Sequence, residues 1–192
     1  MRKIALITTG GTIEKTYDEQ TGELVNRRSI VRRMLSELRL EGSEVEVVEL
    51  MSKDSLEMTD ADRRRVVAAV RACAAGGEVG AAAAREAGAT GGAADVTGIV
   101  VLHGTDTLAS TGETLAAEIP APRVPIVLTG AMRPFEMKQS DALQNLTEAL
   151  FAAGLLPPGV YCVAHGRALP FPGVSKDRER GTFFRPNGDL AD

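Results

Sequence analysis

Five short apolar runs punctuate the chain: Ile4-Ala5-Leu6-Ile7, Val45-Glu46-Val47-Val48, Ile99-Val100-Val101-Leu102, Val124-Pro125-Ile126-Val127-Leu128 and Val160-Tyr161-Cys162-Val163. Runs this short and this rich in β-branched residues fit strands covered on both faces, because a strand with one wet face alternates apolar and polar positions. Longer amphipathic segments lie between them. Ser29 reads as an N-cap ahead of Ile30, Val31, Met34, Leu35 and Leu38, and Thr59 as an N-cap ahead of a helix over 60–74. Two more helices are expected over 107–118 and over 140–153, the latter turning Leu143, Leu146 and Leu150 inward. Regular alternation of strand and helix predicts an α/β fold, a mostly parallel sheet with helices on both faces.

At 192 residues, 44% of them apolar, the chain is long enough for one well-filled domain, so residues 1–192 are expected to form a single unit. Residues 74–94 are almost entirely Ala and Gly and offer little bulk to bury; they read as a surface excursion, able to extend the preceding helix at 81–84. The last thirty or so residues carry Pro170, Pro172 and Pro186 and no clear period, which predicts irregular chain on the sheet edge with one short strand. A net charge of −4 provides no electrostatic footprint for nucleic acid, and Arg63-Arg64-Arg65 reads as the solvated face of a helix. Cys73, Cys162, His103 and His165 lack the paired spacing of a zinc site, so neither a disulfide nor a structural metal is expected. Met1-Arg2-Lys3 leads into an apolar run that stops at Thr8, too short for an export signal, and no stretch approaches the ~20 apolar residues of a spanning helix. The expectation is a cytoplasmic protein without a membrane partner.

Polar chemistry gathers where the runs end. "TTGGT" follows the first, "MSKDSLEMT" the second, "HGTDT" the third and "TGAMRP" the fourth, while a longer path leads from the fifth to "GVSKD". In an open parallel sheet ligands bind outside the carboxyl ends of the strands, where such loops converge. Thr9-Gly10-Gly11-Thr12 is not a phosphate cradle: it lacks the Gly-Lys-Ser/Thr ending of a P-loop and the spaced glycines of a dinucleotide fingerprint. Taken singly, each motif also has a plain reading. Gly10-Gly11 makes a tight strand exit, Thr105 or Asp106 caps a helix, and Lys176 is a solvated lysine in a Gly/Ser context.

Together, "TGGTI" at 9–13, "DSLEM" at 54–58, "HGTDT" at 103–107, "TGAMRP" at 129–134 with Asp141 following, and "GVSKD" at 173–177 resemble, in order, the bacterial-type L-asparaginases. The resemblance is to that family's amino-terminal domain and spans nearly the whole chain. It implies a flavodoxin-like fold with a left-handed crossover, and no organic cofactor or metal. It implies Thr12 as the primary hydroxyl, a Thr105-Lys176-Asp106 group, and Tyr17 as a catalytic tyrosine or lid residue. It implies Ser55 on the substrate carboxylate, Asp106 on the α-amino group and Ala131 on the leaving amide. The small second domain of that family has no counterpart in 1–192, and Leu56 stands where some members carry an amide. Roofing of the site is then expected from a homodimer or homotetramer.

An amide resists hydrolysis because its carbonyl is a weak electrophile and its nitrogen a poor leaving group, so a site needs a nucleophile, oxyanion donors and a proton source. Backbone N–H groups near Gly11 and Thr12 can supply the donors, and Lys176 beside Thr105 the proton relay. The expected activity is conversion of L-asparagine to L-aspartate and ammonia. Hydrolysis of glutamine or another short amide, and a non-catalytic asparagine-binding sensor, remain as alternatives.

Overall fold

The first apolar run extends into β1 (Arg2–Gly10), the strand about which the chain is organised, with Leu6 and Ile7 wholly buried. Each such side chain removed from water contributes about 1.5–3 kcal/mol. The computed structural model describes residues 1–76, 85–86 and 95–186. After β1 come a small hairpin, β2 (Thr16–Asp18) and β3 (Glu23–Val25), then α1 (Val31–Ser36), β4 (Ser43–Lys53) and α2 (Asp60–Ala75). β5 (Gly98–Leu102), α3 (Leu108–Glu118), β6 (Pro125–Thr129), α4 (Ala142–Ala153) and β7 (Gly159–Ala164) continue the alternation. β8 (Arg167–Pro170), β9 (Ser175–Asp177) and β10 (Thr182–Phe184) complete it.

The main sheet runs β4-β1-β5-β6-β7-β8; its first five strands are parallel and β8 returns antiparallel along β7. Period-two alternation along β1 sends Ile4 and Leu6 to one face and Ala5 and Ile7 to the other. The Ile4 face is covered by α1 and α4 through Val31, Met34, Leu146 and Leu150, the Ile7 face by α2 and α3 through Val66, Val70, Leu108 and Leu115. The mostly parallel sheet with helices on both faces is therefore the α/β architecture expected. α2 begins as anticipated, with a reciprocal capping box: Thr59 Oγ1 accepts from the Asp62 amide and the Asp62 carboxylate accepts from the Thr59 amide.

Four details differ from expectation. Ile30, not Ser29, occupies the cap of α1; the Ser29 hydroxyl, one residue earlier, accepts from the Val31 amide at 3.3 Å and donates to the carboxylate of Glu14, and Leu38 lies past the helix end. The helices expected from 107 and 140 start at Leu108 and Ala142. The carboxyl-terminal region holds three strands instead of one: β8 extends the main sheet and β9 pairs with β10. The arginine cluster on α2 is only partly solvated, since Arg63 Nη1 donates to Asp60 and Arg65 Nη2 donates to the Leu50 carbonyl, tying α2 to β4. The excursion at 74–94, with its helix extension at 81–84, lies largely outside the described residues. Among the described residues no helix is long and apolar enough to cross a membrane, and Cys73 and Cys162 are buried free thiols.

Candidate active site

Gly10 and Gly11 leave β1 with φ of +92° and +82°, the left-handed region that a side chain would strain. Space demands glycine as strongly as conformation does. A Cβ on Gly11 would stand 2.4 Å from Gly104 Cα, and one on Gly104 would stand 2.5 Å from Ser55 Oγ. The ends of β1, β4 and β5 thus touch backbone to backbone, locked by the Gly11 amide donating to the Lys53 carbonyl at 2.8 Å. Thr12 follows at once, half-buried, at the head of a 3-10 turn over Thr12–Glu14. Ser55 heads another, over Ser55–Glu57, and is 2% exposed. Neither the Thr12 nor the Ser55 hydroxyl has a hydrogen-bond partner among the described residues. Both remain free to bond a ligand.

Thr105 is buried, and its Oγ1 accepts from Lys176 Nζ at 2.8 Å; the same Nζ donates to Asp106 Oδ1 at 3.0 Å. A lysine seventy-one positions along the chain from that threonine is therefore held against it. Phe183 on β10 pairs with Lys176 and is buried with Val174 in the α2–α3 layer, which anchors the hairpin. The approach to β9 is pinned as well, since the Gly173 amide donates to Glu113 Oε1 at 2.6 Å. Arg178 Nη1 also reaches Asp106 Oδ1, at 2.9 Å, so this carboxylate serves two cations. The helix-cap reading of the motif fails: neither Thr105 nor Asp106 caps α3, and the residue at its cap, Thr107, donates instead to the Ser55 carbonyl at 2.8 Å.

Ala131 is buried at the exit of β6, on a loop whose next two amides are held by one carboxylate. Asp141 accepts from the amides of Met132 at 2.9 Å and Arg133 at 3.0 Å. Burial raises its pKa, but those amides and the His165 ring outweigh it, and the carboxyl sits below its ordinary range. His165, with φ +53°, places Nε2 2.8 Å from Asp141 Oδ2 and Nδ1 3.2 Å from Thr182 Oγ1. Asn145 Nδ2 donates to the Gly130 carbonyl, while its Oδ1 accepts from the His165 amide. The network links the Ala131 loop to α4 and to the hairpin that carries Lys176.

Three supports escaped the sequence reading. Glu14 is 1% exposed; its Oε2 accepts from the Gly10 amide at 3.2 Å and its Oε1 from the Ile30 amide at 3.2 Å and from the Ser29 hydroxyl. Burial pushes its pKa up to about 7 despite those bonds. His103 is buried with Nδ1 2.8 Å from the Gly104 carbonyl and Nε2 2.8 Å from Thr111 Oγ1, and burial lowers its pKa to about 4, keeping it neutral. His165 is the third. A carboxyl two positions after Thr12 and a histidine opening "HGTDT" were the available signals for the first two.

Tyr17 stands apart. It is 60% exposed on β2, where it pairs with Leu24 of β3 and its amide donates to Glu136 Oε2 at 3.0 Å. Leu56 is 68% exposed beside the buried Ser55. An apolar cavity of about 300 Å³ lined by Val70, Ala74 and Val124 lies by the start of β6, at the opposite end of the sheet from these residues. No cluster of three or more His, Cys, Asp or Glu fit to hold a metal occurs among the described residues.

A family model described as "Asparaginase, N-terminal" matches residues 3–82 and 84–183. An L-asparaginase of Thermococcus kodakarensis is 43% identical over 84 residues, 44% of this chain and 26% of that protein. A subunit of the glutamyl-tRNA(Gln) amidotransferase of Thermoplasma acidophilum is 31% identical over 159 residues, 80% of this chain and 33% of that one. Among solved structures, the thermostable L-asparaginase of T. kodakarensis superposes with a TM-score of 0.71 at 28% identity, covering 91% of this chain and 47% of its own. A probable cytoplasmic L-asparaginase of Campylobacter jejuni gives 0.76 at 23% identity, covering 98% and 54%, a likeness of fold. The chain thus spans about half the length of these solved relatives and a third or less of the curated ones. A family match running through the strand-end motifs, on a sheet that superposes with those structures, means that the chain belongs to the asparaginase family, to the part described as its N-terminal domain.

Proposed function

We propose that the strand-end site hydrolyses a small amide, with L-asparagine as substrate and L-aspartate and ammonia as products. The observation that carries this reading is Lys176 Nζ at 2.8 Å from Thr105 Oγ1, with Asp106 closing the group at 3.0 Å. A threonine hydroxyl is inert at its own pKa and needs a neighbouring group to take its proton. A lysine held by a buried threonine and a carboxylate can exchange one through Thr105 to substrate or water. In this reading Thr12 Oγ1 attacks the amide carbon, its proton passes through the Thr105 hydroxyl to the Lys176 amine, and the carbonyl electron pair moves onto oxygen. The Thr12 amide receives that charge, the Gly11 amide being held by the Lys53 carbonyl. The relay then protonates the departing nitrogen as ammonia, and water attacks the acyl-threonine to release the acid and restore the hydroxyl. Ser55 holds the substrate carboxylate, Asp106 its α-ammonium group and the backbone at Ala131 its amide, with Tyr17 a lid residue on the hairpin.

Ammonia release from a panel of asparagine, glutamine and other short amides tests this directly. Turnover fastest with asparagine supports it. A second reading, a component of an amidotransferase, is favoured by the relative that is 31% identical over 80% of the chain. It predicts slow asparagine turnover by the chain alone. Calorimetric binding of asparagine with no ammonia released would instead identify a sensor. The exposed Leu56 removes one possible bond to the substrate carboxylate, worth about 1.5–3 kcal/mol, so a KM of ~1 mM or above is expected. For assembly, the proposal is a homodimer or homotetramer, read by light scattering.

A further inference from the structure

In a chain with more acidic than basic residues, four arginines fall within the seven positions 27–33, and all four line one cavity of about 740 Å³. That volume is in the range of small-molecule sites. Thr16 and Ser29 add hydroxyls to its wall, and Glu136 is the one carboxylate among the residues lining it. Three of the arginines hold a carboxylate, each through one nitrogen. Arg27 meets Asp18 through Nη2, Arg32 meets Glu49 through Nε at 3.5 Å, and Arg33 meets Glu136 through Nη1 at 3.2 Å while its guanidinium lies 5.3 Å over the Phe135 ring. Each of these pairs engages one guanidinium nitrogen of a group with five N–H donors. Arg28 has neither an ion pair nor a hydrogen bond among the described residues. Four arginines against three carboxylates leave net positive charge and uncommitted N–H donors at the cavity, and the planar fork of arginine matches the oxygens of a phosphate two at a time.

We infer that this cavity binds a phosphorylated small molecule, with Arg28 and Arg32 as its principal ligands. The site is separate from the strand ends but shares a wall with them: Ser29, which lines it, donates to Glu14, two residues beyond Thr12, and Glu136 accepts from the Tyr17 amide. The inference does not depend on which amide the chain hydrolyses, because its test reads binding alone. Titration calorimetry on the whole chain at low ionic strength would use inorganic pyrophosphate and AMP as probes and citrate as the polycarboxylate comparison. One saturable site for the phosphate probes is expected. Affinity should fall about tenfold or more in Arg28→Ala, and binding should vanish in Arg28→Ala/Arg32→Ala. Arg28→Lys keeps the charge but loses the fork, and should weaken binding as well. Arg64→Ala, on the exposed side of α2, should leave it unchanged. Circular dichroism checks that each variant is folded. The inference is overturned by the absence of saturable heat with either phosphate probe, by equal loss in Arg64→Ala, by undiminished affinity in the double variant, or by binding of citrate alone.

Discussion

Two regions that carry proposed site residues are built in opposite ways. At the ends of β1, β4 and β5, Gly11, Gly104 and Ser55 pack so closely that no added carbon fits, and Thr105 and Lys176 are fixed by anchors deep in the core. The β2–β3 hairpin bearing Tyr17 contributes no residue to either core layer, and its exposed tyrosine, paired with Leu24 across the hairpin, has its amide hydrogen-bonded to the Glu136 side chain. The first region is positioned before any ligand arrives. The second has few contacts to lose, and such segments are the ones that open at low cost. Preorganised groups are those whose removal costs most in a transition state, so the contrast ranks the residues by expected effect.

The largest effect should come from crowding the strand ends. Gly104→Ala drives a methyl group into Ser55 and should cost about 3 kcal/mol or more, read as a lowered urea midpoint, with ammonia release abolished. A result close to wild type would show that the strand ends are loosely packed.

Next comes the buried carboxyl beneath Thr12. With Glu14 raised from the ordinary 4.5 to about 7, the folded state holds a proton that the unfolded state has already lost across that interval. Stability from this group therefore falls as pH rises from about 4.5 to about 7, by about 3 kcal/mol in all, and is level above. Urea unfolding at pH 5 and pH 8 measures the fall, and Glu14→Gln should flatten it. Asp62, lowered to about 2 first by the Thr59 amide and then by Lys53, works in the opposite direction: its contribution is full above the ordinary 3.8 and is lost as pH falls toward 2.

A smaller effect is expected at the Ala131 loop. His165→Ala should lower kcat about tenfold by freeing Asp141 and Thr182, whereas His165→Asn, which tolerates a positive φ, should recover part of that loss. Equal loss in both variants would mean that the ring itself is needed. The smallest belongs to the hairpin: Tyr17→Phe should change kcat by less than about threefold if its exposure persists with substrate bound. A loss of a hundredfold would show instead that the hairpin closes over the site and carries chemistry.

The same contrast explains what could be read from the residues alone. The five parallel strands were legible because strands buried on both faces must be apolar throughout, and α2 because Thr59 and Asp62 form a local capping pair. β8 to β10 were not, since their few buried side chains, such as Leu169 and Phe183, are isolated and gain meaning only against the edge of a sheet formed elsewhere. In the site, Gly10-Gly11 signalled a strained exit, but the meeting of Lys176 with Thr105 spans seventy-one positions and no spacing rule reaches so far; only the family resemblance joined them. Ser29 was read as a cap because its local pattern fits one; its hydroxyl does accept from the Val31 amide, but its bond to a buried carboxyl fifteen residues earlier lay beyond any local pattern.

The central claim is that Thr105 and Lys176 act as one device in amide hydrolysis. A double-mutant cycle on kcat for ammonia release from asparagine tests it, with Thr105→Val, Lys176→Met and both together. Each single change is expected to lower kcat by about 10²–10⁴, with the pair costing no more than the worse of the two, because a relay already broken cannot be broken again. Near wild-type turnover in Lys176→Met, or a double variant slowed by the full product of the single effects, would contradict it.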